Sequence, residues 1–277
     1  MVQSSKIKNQ SPFFMKYIGY REEDFSTPWA KYFNENMPAI QPQVTEGLNK
    51  SPFAAGKLPP LEEACAMSNE GYAKVETGYA FQPDGSLNIA ILTKMPRVKP
   101  EMWDWWFGWH GSHDNRYKLW HPKAHKSAKW QDGKENLTEY VGRTSMIQEY
   151  IGRNLAKASI QFVSPSRLGF SMTNDVSKEV VIGARIGLTN IPLDFGWLLH
   201  QVRATGDGAE MRSRFWMGGR HIGFRLNGKP PKLLAKMLQK VVPWPEQRAK
   251  DLLIHCAEEM NHLAQFLPEI YTEFARE

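Results

Sequence analysis

The feature that most constrains this chain lies at its end. From about Trp244 onward, Leu252, Leu253, Cys256, Met260, Leu263, Leu267 and Ile270 recur at helical spacing and draw one apolar stripe along a long helix. Pro243 and Pro245 stand at its opening, where the N–H that proline lacks would go unpaired anyway. Glu246 follows them and complements the positive end of the helix dipole. Pro268 marks either a kink in the last turns or their start.

His255 and Glu259 sit on the border of that stripe. Four residues apart, they project from one face about a turn from each other. His262 follows on nearly the same line. An imidazole and a carboxylate stacked in this way can hold a metal ion between them. A solvated His–Glu pair beside the core gives the same pattern.

The rest of the chain reads mostly as strands. Asp84-Gly85 separates two β-prone runs, Gly78–Phe81 and Leu87–Thr93, which predicts a hairpin. Further runs fall at 144–151, 159–163, 180–188 and 196–205, punctuated by Pro165, Gly169, Pro192, Gly206 and Gly208. Two short strands are expected at 212–216 and 221–226, around Gly218-Gly219. Pro100, with Glu101 beside it, suits the start of a helix carrying Trp103, Trp105, Trp106 and Trp109. Pro230-Pro231 introduces another helix at 232–241. Many antiparallel strands before one long helix fit an α+β fold, a curved sheet wrapped around the helix. Residues 1–60, rich in Pro, Asn, Gln and Ser, read as an arm with short helices, and 61–277 as one domain. Residues 61–75 are read as a short helix or an entry loop.

Composition narrows the function. The two cysteines, Cys65 and Cys256, make no disulfide framework and fit a reducing compartment. No apolar signal core opens the chain and no run of about 18 apolar residues follows, so a cytoplasmic protein with no membrane span is expected. The net charge of +6 favours anionic partners such as phenolates. Zinc-finger spacing and RNA-binding aromatic motifs are missing, so no nucleic-acid partner is expected. Gly206-Asp-Gly208 lacks the third glycine of a dinucleotide fingerprint.

The chemistry-bearing residues concentrate in the middle. His110, His113, His121 and His125 fall within sixteen residues, and imidazole is both a transition-metal ligand and an acid–base group near pH 7. Glu149 interrupts a β-prone run and should face opposite to Gln148 and Tyr150. If that face is buried, its charge needs a partner. His200 raises the same question in an apolar strand: structural, or a carrier of protons.

These stretches also carry a resemblance. Tyr79–Gly85, Leu92–Pro96, the run from Pro100 to His110 (PEMWDWWFGWH), Arg116–Pro122 (RYKLWHP) and His255-x-x-x-Glu259 resemble the 2,4-diacetylphloroglucinol hydrolase family, which includes the phloretin hydrolases. The similarity covers roughly residues 70–265. It implies a helix-grip (Bet v 1-like) fold, a homodimer and one zinc ion held by two His and two Glu. It also implies hydrolysis of the carbon–carbon bond between an acyl group and a phloroglucinol ring, so the partner is a small aromatic polyphenol ketone. Carried onto this sequence, the zinc ligands would be His125, Glu149, His255 and Glu259, with His121 the rival to His125. Tyr117 would hydrogen-bond a substrate phenol, and His200 would be the pocket histidine that moves a proton. Trp109, His121 and Phe215 are expected to contact substrate. Two positions depart from the family's best-known member. Ala128 replaces an asparagine, and Phe215 stands nearest to a second pocket tyrosine; both lose a polar anchor for a ring hydroxyl.

Two other readings compete. A helix-grip cavity can simply carry an aromatic or apolar ligand, though a carrier has no need of two His and two Glu converging. A non-haem iron oxygenase would use two His and one carboxylate, but a second carboxylate closes a position that oxygen requires.

Overall fold

The structure, a computed structural model, describes residues 19–171, 175–225 and 244–275. The helix expected at 232–241 and Pro243 lie outside the described residues. Among the described residues, nine strands form one antiparallel sheet: β1 (Gly78–Phe81), β2 (Leu87–Pro96), β3 (His125–Trp130), β4 (Thr144–Ile151), β5 (Asn154–Val163), β6 (Glu179–Leu188), β7 (Leu193–Ala204), β8 (Gly208–Met217) and β9 (Gly223–Phe224). Their spatial order is β1-β2-β8-β7-β6-β5-β4-β3, with β9 beside β7. The α-helices among the described residues are α1 (Pro42–Lys50), α2 (Pro100–Trp109), α3 (Asp114–Trp120), α4 (Glu246–Leu263) and α5 (Leu267–Phe274). The sheet curves around α4, which packs against β1, β2 and β4. This is the α+β, helix-grip arrangement expected.

Local chemistry explains most of the elements. The β1–β2 hairpin closes where expected, with Phe81 opposite Leu87. Gly85 takes a positive φ there, and Asp84 Oδ1 accepts from the Ser86 N–H at 3.0 Å, the Asx geometry such turns favour. Pro100 opens α2. The single terminal helix read from the apolar stripe is two helices. Pro268 sits in the first turn of α5, so of its two readings it marks a start. Of the strand expected at 221–226, only Gly223–Phe224 is a strand among the described residues, and His221 ends a 3-10 turn, Gly219–His221. Gly218 and Gly219 both take positive φ, which interrupts the extended run.

Both faces of the sheet are covered. Along β8, Ala209, Met211, Phe215 and Met217 point into the main core with Leu253, Cys256 and Met260 of α4. Trp216 points the other way, into a smaller core with Ala64 and Met67. Those two residues belong to a 3-10 helix, Leu61–Ser68, which lies over the outer face. The same alternation runs through β6 and β7, where Val181 and Leu199 face outward and Ile182, Leu198 and Val202 inward. The arm is not separate from this packing: Trp29 and Val44 are buried in the main core.

Candidate active site

The inner face leaves a cavity of about 530 Å³ between the sheet and α4, within the range of small-molecule sites. Polar groups gather at one end. Tyr117, Glu149, His200, His255 and Glu259 all line it, beside His110 and Phe215. Ile160, Ile186, Leu188, Phe195 and Leu252 make the rest largely apolar.

Three elements assemble the cluster. His125 opens β3 and pairs directly with Glu149 of β4 across the antiparallel ladder. Ser145, Ile147, Glu149 and Ile151 all line the cavity, the period-2 face expected of Glu149. α4 supplies His255 and Glu259, one turn apart. Facing atoms of His125, His255 and Glu259 all lie within 4.8 Å of one another. Glu149 Oε2 stands beside this trio, 3.4 Å from His125 Nε2 and 3.6 Å from His255 Nε2. It also accepts a hydrogen bond from the Tyr117 hydroxyl.

His125 shows what the cluster suits. Its Nδ1 is 2.9 Å from the Tyr117 carbonyl oxygen, so Nδ1 carries the hydrogen and donates it. Burial, with His255 and His121 nearby, holds the imidazole well below its ordinary pKa. Nε2 is therefore a bare lone pair. It is buried with no hydrogen-bond partner among the described residues, yet it faces Glu149 Oε2 and Glu259 Oε2 at 3.4 and 3.3 Å. A lone pair aimed at two carboxylate oxygens is unfavourable unless a cation or a carboxyl proton lies among them. Two imidazoles and carboxylate oxygens are a donor set suited to zinc, so these residues fit such an ion.

The charges agree. Burial pushes the Glu259 carboxyl up to about 8, with His255 opposing and Glu149 adding to the shift. Burial would lower His255, but Glu149, Glu259 and Glu258 together raise it to about 9. Burial would raise Glu149, but His255, Tyr117 and His121 hold it below its ordinary value. A proton on His255 thus supplies positive charge that the carboxylates demand, and a bound metal would compete with that proton.

Some expected residues lie elsewhere. His121 does not line the cavity. It caps the C-terminal end of α3, its Nε2 lies 3.2 Å from Glu258 Oε2, and its ring stacks on His255 at 4.9 Å. Four residues earlier than His125, it falls before the bulged start of β3 and meets the outer side of α4. Trp109 does not line the cavity either. It packs against Trp29, Trp105 and Phe274, with the Arg116 guanidinium 4.1 Å over its ring, because it ends α2 on the side facing α5. His262 is buried against Phe266, away from the cluster. Ala128 is fully buried. The sequence reading did not find α3, which carries Tyr117 onto His125 in a parallel stack at 3.8 Å, nor Ser213, whose Oγ is 2.8 Å from His200 Nδ1. A serine in the every-second-position series of Ala209, Met211, Phe215 and Met217 was the available signal.

Comparison with known proteins decides the family. The profile of the DAPG hydrolase PhiG domain matches residues 58–272. The chain belongs to the DAPG hydrolase family. Family membership makes it an enzyme of the hydrolase class and removes the carrier reading. It is 28% identical to the 2,4-diacetylphloroglucinol hydrolase of Pseudomonas protegens over 265 residues, 89% of this chain and 84% of that one. It is 26% identical to the phloretin hydrolase of Eubacterium ramulus, over 92% of this chain and 93% of that one. The crystal structure of ginseng major latex-like protein 151 from Panax ginseng is a slighter likeness: TM-score 0.36 and 14% identity over 64% of this chain and 98% of that one. No helix among the described residues of this DAPG hydrolase family member is long and apolar enough to cross a membrane.

Proposed function

We propose that this chain is a zinc-dependent hydrolase of acylphloroglucinols, of the diacetylphloroglucinol or phloretin type. It would cleave the bond between the acyl carbon and the phenolic ring and release a carboxylic acid and the phenol. The observation that carries this reading is the convergence of His125, His255 and Glu259, with Glu149 and Tyr117 beside them, at one end of an otherwise apolar cavity. The relatives named for 2,4-diacetylphloroglucinol and for phloretin support the substrate class.

His125, His255 and Glu259 would hold the ion, with Glu149 as the fourth ligand. When bound, zinc would supply Lewis acidity and bring the pKa of a bound water toward ~7. The side chains do the rest. Tyr117 already donates to Glu149, so its oxygen is free to accept from a ring phenol and orient the ring. A phloroglucinol ring in its keto form makes the scissile bond resemble that of a β-diketone. Water's oxygen then bonds to the acyl carbon and the ring–acyl bond breaks. Its electron pair goes to the ring as an enolate, which takes a proton at carbon. The proton comes from the water, and His200, lining the same cavity and held neutral by burial, would hydrogen-bond the substrate oxygen. Phe215 offers the ring contact without a hydroxyl. A cytoplasmic homodimer belongs to the same proposal, its compartment supported by the two free cysteines.

Incubating the zinc-loaded protein with diacetyl-, monoacetyl- and phloretin-type compounds tests the reading. Release of the carboxylic acid from at least one is expected, without a need for oxygen. No acid from any of them, with stoichiometric zinc bound, would sink it.

A further inference from the structure

Two imidazoles besides the metal cluster open on the cavity, and their back nitrogens meet opposite partners. His110 Nδ1 lies 2.9 Å from the Trp106 carbonyl oxygen. A carbonyl only accepts, so Nδ1 carries the hydrogen and Nε2 is a lone pair. His200 Nδ1 lies instead 2.8 Å from Ser213 Oγ, its direct neighbour across the β7–β8 ladder. Ser213 is fully buried, so no bulk water competes for its single hydroxyl hydrogen. His200 Nδ1 is the partner that the geometry gives that hydroxyl, and the sulfur of Cys256 is near enough to Ser213 to feel it. An imidazole lone pair is much the better acceptor, because a thiol sulfur accepts only weakly. The thiol can in turn donate weakly to Oγ.

We propose that Ser213 is a positioning residue that fixes His200 in the tautomer with its hydrogen on Nε2, opposite to His110, so that the cavity presents one imidazole donor and one imidazole acceptor. Both rings flank Phe107, at centroid distances of 5.7 Å for His200 and 5.9 Å for His110. Both stay neutral, since burial drives His200 down to about 3 and His110 to about 4. His200 then serves as an uncharged hydrogen-bond donor to an oxygen on which negative charge grows, a role that a neutral imidazole can fill. His110 accepts from a hydroxyl. The ligand that satisfies both is a hydroxy ketone, its O–H given to His110 and its C=O accepting from His200. The assignment rests on the hydrolase reading for its role in turnover, but the tautomers themselves do not.

Nitrogen-15 NMR of histidine-labelled whole protein without substrate reads the tautomers directly. The expected result is hydrogen on Nε2 of His200 and on Nδ1 of His110. Ser213→Ala should abolish the His200 preference and lower kcat about tenfold with KM within about twofold. Ser213→Thr should restore both. Cys256→Ala should leave the His200 tautomer unchanged, and it serves as the informative variant if Ser213→Ala does not fold. A parent His200 with hydrogen on Nδ1, a tautomer indifferent to Ser213→Ala, or one that inverts in Cys256→Ala would overturn the proposal. Absence of acid release from every acylphloroglucinol would overturn the substrate reading alone.

Discussion

The two faces of this sheet bury polar groups in opposite ways. On the outer face, Arg212 donates to Glu76 at 2.6 and 3.1 Å, to the Met67 carbonyl at 2.8 Å and to Gln201 at 3.0 Å. Arg214 reaches the same Glu76 carboxylate and the Ser213 carbonyl. Burial pushes the Glu76 carboxyl up, but the two guanidiniums outweigh it and hold it low. On the inner face, His125 Nε2 has no hydrogen-bond partner among the described residues and points at carboxylate oxygens. Closed pairing marks a structural network. A buried lone pair facing carboxylate oxygens beside a cavity fits an ion that the chain does not supply. The faces differ because the 61–76 segment covers one with side chains and backbone carbonyls, while the other is left open as a cavity.

That contrast can be broken by substitution. Glu259→Gln should remove most bound zinc and about a thousandfold or more of the activity, since even outer-shell changes cost about 10–100-fold. Metal analysis beside initial rates checks it, and an unfolding midpoint near the parent's would show that the fold is intact. Glu76→Ala should do the reverse. Two buried guanidiniums lose their carboxylate, which costs about 3–5 kcal/mol of stability in urea unfolding, while folded protein keeps its zinc and its rate. Loss of zinc in that variant would erase the distinction between the faces. Tyr117→Phe should keep the metal and lower kcat/KM by roughly 10–100-fold, or about 1.4–2.7 kcal/mol.

The smallest effect is on pH. His200 has its folded pKa depressed to about 3 by burial, against about 6.5 unfolded. Below about pH 6.5 the unfolded chain therefore takes up a proton that the folded chain refuses, and stability falls as pH drops toward 3. His200→Phe should flatten this slope, so that the stability lost between pH 6 and pH 4 is about 2 kcal/mol smaller than in the parent. An unchanged slope in urea titrations would show that His200 is not held neutral.

Much of the fold was legible. The Asp84-Gly85 hairpin, the start of α2 at Pro100 and the alternation of Glu149 with Gln148 and Tyr150 along β4 follow from turn chemistry, capping and period-2 geometry, which are local. The missed α3 has a different cause. Residues 114–120 are dense in aromatic and basic side chains, and their helical pattern is hidden because nearly every face is buried. The fate of Trp109 was equally hidden, since a tryptophan in a core and one in a pocket wall look alike in sequence.

The sequence by itself determined that His255 and Glu259 share a helix face, because a spacing of four is one turn wherever that helix packs. It determined that Glu149 lies opposite in direction to Gln148 and Tyr150, because strand geometry alternates. Only the tertiary structure decided that His125 faces Glu149 and Glu259 while His121 turns to Glu258, since ladder register and a bulge set which of two nearby imidazoles crosses to Glu149. Only it placed Ser213 against His200, because cross-strand neighbours are fixed by pairing and turn geometry rather than by separation along the chain.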